Sequence, residues 1–254
     1  MKSLLNTSIL GAAALLCIGT ARADVIDFES PDLSNAPFAP LLAGGDVLTQ
    51  GTYFVRTIDP GNPDGGTLAG ALMNGADPGS CLDQACPTGN ATSYIGSFNG
   101  GVVHFGQLSG AASMLGSFDA AFLAPANSGL PAGTVGYLAI QADRVDGSHA
   151  LGVFALAGPA TATGLTAFSS FHAGDAQIVG GSGTLTSGAV TDFYAFAYPC
   201  DAVSCSAFGG NAAQFAIDNI AIGVSAVPEP SPWMLLALGL GGVAALARRR
   251  HLPA

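Results

Sequence analysis

The sequence predicts an all-β chain, an antiparallel β-sandwich of jelly-roll type, on three observations. Apolar residues recur with period two in about ten short runs, as half-buried strands require. Clusters rich in Gly, Pro, Asn and Asp separate the runs. No stretch shows the 3.6-residue period of a long amphipathic helix. Composition agrees: 254 residues are 49% apolar but only 9% charged, with 36 Gly, which argues against a coiled coil or helical bundle. The length fits one domain of about 200 residues between two targeting segments.

The runs come in order. VIDFE (25–29) opens, then YFVR (53–56), and next the runs 93–98, 102–108 and 112–123. Those at 134–142, 151–157, 165–171, 191–198 and 214–224 follow. In the run 191–198, Phe193, Ala195 and Ala197 oppose Tyr194, Phe196 and Tyr198. In the last run, Phe215, Ile217, Asn219 and Ala221 are expected on one face, and Ala216, Asp218, Ile220 and Ile222 on the other. The alanine-rich stretch 111–126 admits a strand or a helix. Turn clusters lie at 59–66, 74–80, 126–133, 143–149 and 180–183. No repeat of 20–50 residues is visible, which weakens propeller and solenoid readings.

Charge excludes one class of partner. Between residues 24 and 227 only Arg56 and Arg144 stand against sixteen acidic residues, a formal charge of −14. Such a surface repels phosphate backbones, so no nucleic acid is expected.

The two ends read as addresses. Residues 1–23 combine Lys2, an apolar run from Ile9 to Ile18, and the small-residue site Ala21-Arg22-Ala23. This is the pattern of a secretory signal peptide, with the mature chain beginning at Asp24. The folded domain is expected over 24–224 and a Pro-rich linker over 225–232. A transmembrane helix with a basic tail is expected over 233–254. There Pro228-Glu229-Pro230 precedes the 15 apolar residues 233–247, and Arg248, Arg249 and Arg250 follow. The stretch is shorter than the ~20 residues of an ordinary spanning helix. Trp233 suits one interface, and the arginines suit the cytoplasmic one, which leaves the domain outside.

This order of Pro-Glu-Pro, short apolar helix, basic cluster and chain end resembles the PEP-CTERM sorting signal of Gram-negative bacteria that also make extracellular polysaccharide. The resemblance implies that an exosortase, a membrane protease, recognises the tail and cuts near Pro228-Glu229-Pro230. The bracket of VIDFE at the start and QFAIDNIAI at the end is also similar to jelly-roll domains carried by many PEP-CTERM proteins. Gln214, Phe215, Asp218 and Asn219 match the Q-F-x-x-D-N pattern of one such family. That resemblance implies neighbouring first and last strands and a shared structural calcium. Glu29 and Asp218 are then the candidate ligands, with Asp27 a further one. Calcium wants six to eight oxygens, and the alternative is that these are ordinary turn and strand carboxylates.

Four cysteines remain in the mature part: Cys81, Cys86, Cys200 and Cys205. Export to an oxidising compartment favours two disulfides. Both pairs share C-x4-C spacing in turn-rich segments, so local closure (81 with 86, 200 with 205) is the first choice among three connectivities. A tetrathiolate zinc site is the alternative.

No catalytic motif emerges. His104, His149 and His172 show no tight metal spacing. GGSGT at 180–184 departs from G-x-S-x-G at its last residue. Asn62, Asp64 and Gly65 resemble part of an EF-hand loop, but Pro60 and Ala71 stand where acidic ligands are needed. Asn90-Ala91-Thr92 is a glycosylation sequon by pattern alone. Tyr53, Tyr94, Tyr137, Tyr194 and Tyr198 form either a sugar-stacking platform or amphipathic strand positions in the core. The expected function is an exported, surface-anchored, non-catalytic protein with a structural or adhesive role in the polysaccharide matrix. A carbohydrate-binding module and a secreted hydrolase are the alternatives.

Overall fold

The computed structural model describes residues 23–63, 65–82, 86–123, 135–158, 166–187, 189–200, 205 and 214–224. The expected signal peptide (1–23) therefore lies outside the described residues except for Ala23, the first residue of β1, and the expected linker and C-terminal helix lie wholly outside them. Among the described residues no helix is long and apolar enough to cross a membrane.

The described residues form fifteen strands: β1 (Ala23–Ile26), β2 (Asp32–Asn35), β3 (Leu41–Ala43), β4 (Val47–Gln50), β5 (Tyr53–Ile58), β6 (Leu68–Asn74), β7 (Ser93–Ser97), β8 (Val102–Gln107), β9 (Ser113–Leu123), β10 (Val135–Arg144), β11 (His149–Leu156), β12 (Ser169–His172), β13 (Gln177–Gly181), β14 (Val190–Cys200) and β15 (Gln214–Val224). The all-β expectation is met, and the run 111–126 supplies a strand. Five short strands, β2, β3, β4, β6 and β13, escaped the period-two reading.

Instead of two separate jelly-roll sheets, all the strands belong to one curled, antiparallel sheet. One part runs β2-β4-β5-β8-β14, extended through β10 and β11 to β13. The other is centred on β15, flanked by β9 on one side and by β1 and β7 on the other. The two parts meet through a single pair, Val190 with Ser113. The curl brings them face to face. Phe118 of β9 meets Phe154 of β11 edge-on at 4.9 Å. Gly136 of β10 approaches the Phe122 ring of β9 so closely that a Cβ there would lie 2.5 Å from it. Only glycine permits that contact.

The main core draws on both parts, including Leu48, Val55, Phe105, Phe118, Phe122, Phe193 and Phe215. Burying each such phenylalanine contributes roughly 1.5–3 kcal/mol. A smaller cluster around Met73, Tyr94, Phe98 and Leu123 lies on the other side of β9 and β15. In β14 the alternation follows the sequence: Phe193, Ala195 and Ala197 are buried, and Tyr194, Phe196 and Tyr198 are half-buried.

In β15 the alternation breaks. Phe215 and Ile217 enter the main core, and so do Ile220 and Ile222. The register against β9 shifts between Asp218 and Ala221, where Asn219 takes φ 49°. Each extra residue in a strand swaps its faces. The partner strand makes the same change, because Leu115 and then Phe118, Ala120 and Phe122 face the main core. Both strands skip together, so the pairing survives while the side chains on either side of the bulge change face.

The first and last strands pair antiparallel, Ala23 with Gly223 through Ile26 with Ile220. The buried Tyr53 hydroxyl adds a tie, donating to Ile222 O at 3.3 Å. Both disulfides close locally, Cys81–Cys86 and Cys200–Cys205.

Candidate functional site, a polar cleft at the β15 bulge

The bulge in β15 places two adjacent residues in opposite settings. Asp218 is fully buried, and Asn219 is exposed. An asparagine tolerates the left-handed conformation better than a bulky residue.

Three donors hold the buried Asp218 carboxylate. Asn90 Nδ2 donates to Oδ2 at 2.7 Å, and the Asn219 backbone N–H donates to Oδ1 at 2.7 Å. The Thr92 hydroxyl lies 3.0 Å from Oδ2 and close to Asn90 Oδ1. Burial dominates these bonds and pushes the carboxyl up to about 6; the donors oppose the rise, and nearby Asp119 adds to it. The Tyr94 hydroxyl, also buried, is pushed up to about 12, first by burial and then by Asp218. It donates to Cys81 Sγ at 3.1 Å, which links this region to the first disulfide.

The partners of Asp218 line a cleft of about 270 Å³. Its walls are Asn90 and Thr92 from the segment before β7, Asp119 from β9, Phe168 and Ser170 at the start of β12, and Asn219. Asp119 is the half-buried hub. Asn219 Nδ2 donates to its Oδ2 at 2.8 Å, and the Ser170 hydroxyl donates to its Oδ1. Phe168 meets the buried Tyr94 edge-on at 5.1 Å. The cleft therefore offers one carboxylate, amides, hydroxyls and part of an aromatic ring on a fixed frame.

The sequence singled out Asp218 and Asn219 but none of Asn90, Thr92, Asp119, Phe168 or Ser170 in this setting. Asn90 is 128 residues from Asp218 along the chain. Beside its sequon pattern, Asn90 has a positioning role, because its side-chain nitrogen donates to Asp218.

The candidate calcium ligands are placed as follows. Glu29 Oε1 accepts from Ser93 N at 2.6 Å, next to the Asn90–Thr92 segment that holds Asp218. Asp27 Oδ1 accepts from the Gln50 side chain and from Glu29 N. All three carboxylates thus have protein donors. Among the described residues no three His, Cys, Asp or Glu side chains converge as metal ligands. Asp27, Glu29 and Asp218 thus do not form one such cluster as folded, whereas calcium takes six to eight oxygens. The four mature cysteines are likewise paired in disulfides rather than gathered around zinc.

The tyrosines divide. Tyr53 and Tyr94 are core residues. Tyr137, Tyr194 and Tyr198 lie on the other face of β10 and β14. There the register sets Arg56, His104, Tyr194 and Gln141 in a row across four strands. The rings stack on one another: His104 with Tyr194 at 4.3 Å, and Tyr137 with Tyr198 at 5.5 Å. Phe54 closes on His104 edge-on at 4.8 Å. A ring stacked on its neighbour has one fewer face for a sugar, which favours the alternative of half-buried strand positions for these three tyrosines. His104 Nε2 sits 2.8 Å from Asp192 Oδ1. Burial still drives its pKa below the usual histidine value, while Asp192 pulls it back up. His149 and His172 lie apart, on β11 and β12, and both are exposed.

A search of curated proteins finds no match. Among solved structures, the fold is similar to a DUF4465 family protein from Bacteroides caccae ATCC 43185. That likeness has TM-score 0.43 and 16% identity, over 82% of this chain and 90% of that one. It is also similar to the CBM22-1–CBM22-2 tandem domain of Paenibacillus barcinonensis Xyn10C, with TM-score 0.37 and 13% identity, over 83% of this chain and 51% of that one. The C-terminal family 22 carbohydrate-binding module of Clostridium thermocellum Xyn10B gives TM-score 0.32 and 11% identity, over 77% and 98%. Likenesses this distant assign no function. The tail is more definite: residues 226–250 match the PEP-CTERM protein-sorting motif, so the chain carries a PEP-CTERM signal just past Val224, the last residue of β15.

Proposed function

We propose that this chain is a non-catalytic, exported β-sandwich protein, displayed at the cell surface of a Gram-negative bacterium with a structural or adhesive role in the polysaccharide matrix. The observation that carries the reading is the PEP-CTERM motif at 226–250. The motif implies export, membrane-anchored sorting toward the surface and processing by an exosortase.

The geometry of the folded body suits that route. β1 and β15 lie side by side, so the expected signal-peptide junction at Ala23 and the last residue of β15, Val224, lie at the same end of that strand pair. The cleft at Asn219 lies five residues back along β15 from Val224, roughly 17 Å at strand rise. The two disulfides are consistent with folding in an oxidising compartment.

Deletion of residues 226–254 tests the reading by cell fractionation. The full chain is expected in the envelope or at the surface, and the shortened chain in the periplasm or medium. Identical distribution of both in one membrane fraction would contradict sorting by the tail.

A further inference from the structure

We propose that the cleft at the β15 bulge binds a single neutral sugar unit of an extracellular polysaccharide, with Asp119 as its hydrogen-bonding hub and Phe168 as its apolar wall. This deepens the surface-protein reading above and rests on it.

Size is the first argument. At about 270 Å³ the cleft falls just under the range of about 300–1,000 Å³ common for sites of drug-sized ligands. It suits one ring of a chain, or a chain terminus, rather than a long glycan.

Chemistry is the second. A sugar ring presents neighbouring hydroxyls, which both donate and accept, beside a face of C–H groups. Asp119 already takes one donor on each oxygen, from Ser170 and Asn219. A carboxylate has about four lone-pair sites, so each oxygen retains acceptor capacity for a sugar hydroxyl. The exposed Ser170 and the Asn219 amide supply further polar partners, and the half-buried Phe168 ring supplies an apolar surface. The net charge of the folded body selects against an anionic ligand. Among the described residues Asp119 is the one carboxylate lining the cleft, fewer than a cation site gathers.

Rigidity is the third. Asp218 clamps Asn90, Thr92 and the Asn219 backbone from below. Asp119 clamps Asn219 and Ser170 from the side. Groups fixed before the ligand arrives lose little entropy on binding.

The exported protein, purified from producing cells, is titrated with the methyl glycosides of galactose, glucose, mannose and N-acetylglucosamine by saturation-transfer NMR. A pull-down uses polysaccharide from the same cells. Three variants accompany it: Asp119→Ala, Ser170→Trp, which fills the cleft from an exposed position, and Tyr194→Ala on the opposite region. Binding of at least one glycoside, weakened tenfold or more by both cleft variants and changed less than twofold by Tyr194→Ala, is the expected result. No binding by the wild-type protein, binding retained in both cleft variants, or loss in Tyr194→Ala would each overturn the proposal. A protein that is correctly sorted and cleaved yet binds no sugar would lose this site while keeping the surface role.

Discussion

His104 and Asp218 are both titratable groups drawn out of water, and burial biases each toward its neutral form. Their surroundings differ. His104 is packed between Tyr194 and Phe54 and bonded to Asp192, so its polarity is absorbed within the sheet face. Asp218 is fully buried and does not itself line the cleft, but its three donors come from residues that do. The comparison separates a polar group that stiffens a surface from one that builds a concavity.

Removing Asp218 should have the largest effect. Asp218→Ala leaves the Asn90 amide and the Asn219 N–H without their acceptor at a buried position, a loss of about 3 kcal/mol. For a domain of this size that lowers the melting midpoint by about 6–12 °C in calorimetry. His104→Phe, which keeps ring packing, should cost less than half as much. Equal losses would erase the distinction between the two sites.

Acid dependence sharpens the same contrast. The Asp218 carboxyl ionises near 3.8 when unfolded and at about 6 when folded. Between those values the native state binds more protons, so this group's contribution falls as pH rises from about 4 to 6, then stays level. The change is on the order of 3 kcal/mol. His104 has the opposite sign: its folded pKa is depressed, so stability attributable to it is lost as pH falls below the ordinary histidine value. Denaturant titrations of Asp218→Asn and His104→Phe across pH 4–7 should therefore tilt in opposite directions relative to the wild type.

The disulfides give a smaller effect. Each closes a loop of five-residue separation, for which chain entropy supplies about 2 kcal/mol. Cys81 is buried and receives the Tyr94 hydroxyl, whereas Cys205 is exposed. Replacing Cys81 and Cys86 by Ser should lower the midpoint more than replacing Cys200 and Cys205. The reverse order would detach the first disulfide from the cleft.

Calcium should matter least. Because Asp27, Glu29 and Asp218 already have protein donors, adding calcium or EDTA should move the midpoint by less than about 2 °C. A larger shift would reinstate a metal staple between the terminal strands.

Much of this architecture could be read from residue order. Period two located the long strands, and the repeated C-x4-C spacing pointed to local disulfides. Of the missed strands, β2, β3 and β4 escaped because three or four residues carry too little alternation to register, and β6 because LAGALMN buries consecutive residues instead of alternating. The reversal of faces in β15 was hidden for a different reason. Strict period two puts Ile220 and Ile222 opposite Phe215 and Ile217, whereas the Asp218-Asn219 pair between the two apolar halves marks the skip that the pairing with β9 makes explicit. The cleft was the least legible feature. Asn90, Asp119 and Ser170 are unremarkable loop and strand residues until tertiary pairing sets them around Asp218. A long-range hydrogen bond leaves no local pattern.

The most direct test of the account is mass spectrometry of the mature protein from its native cells. A chain beginning at Asp24, ending near Pro228-Glu229-Pro230 and carrying both disulfides is the expected product. An intact polypeptide from Met1 to Ala254 with four reduced thiols in the folded body would contradict it.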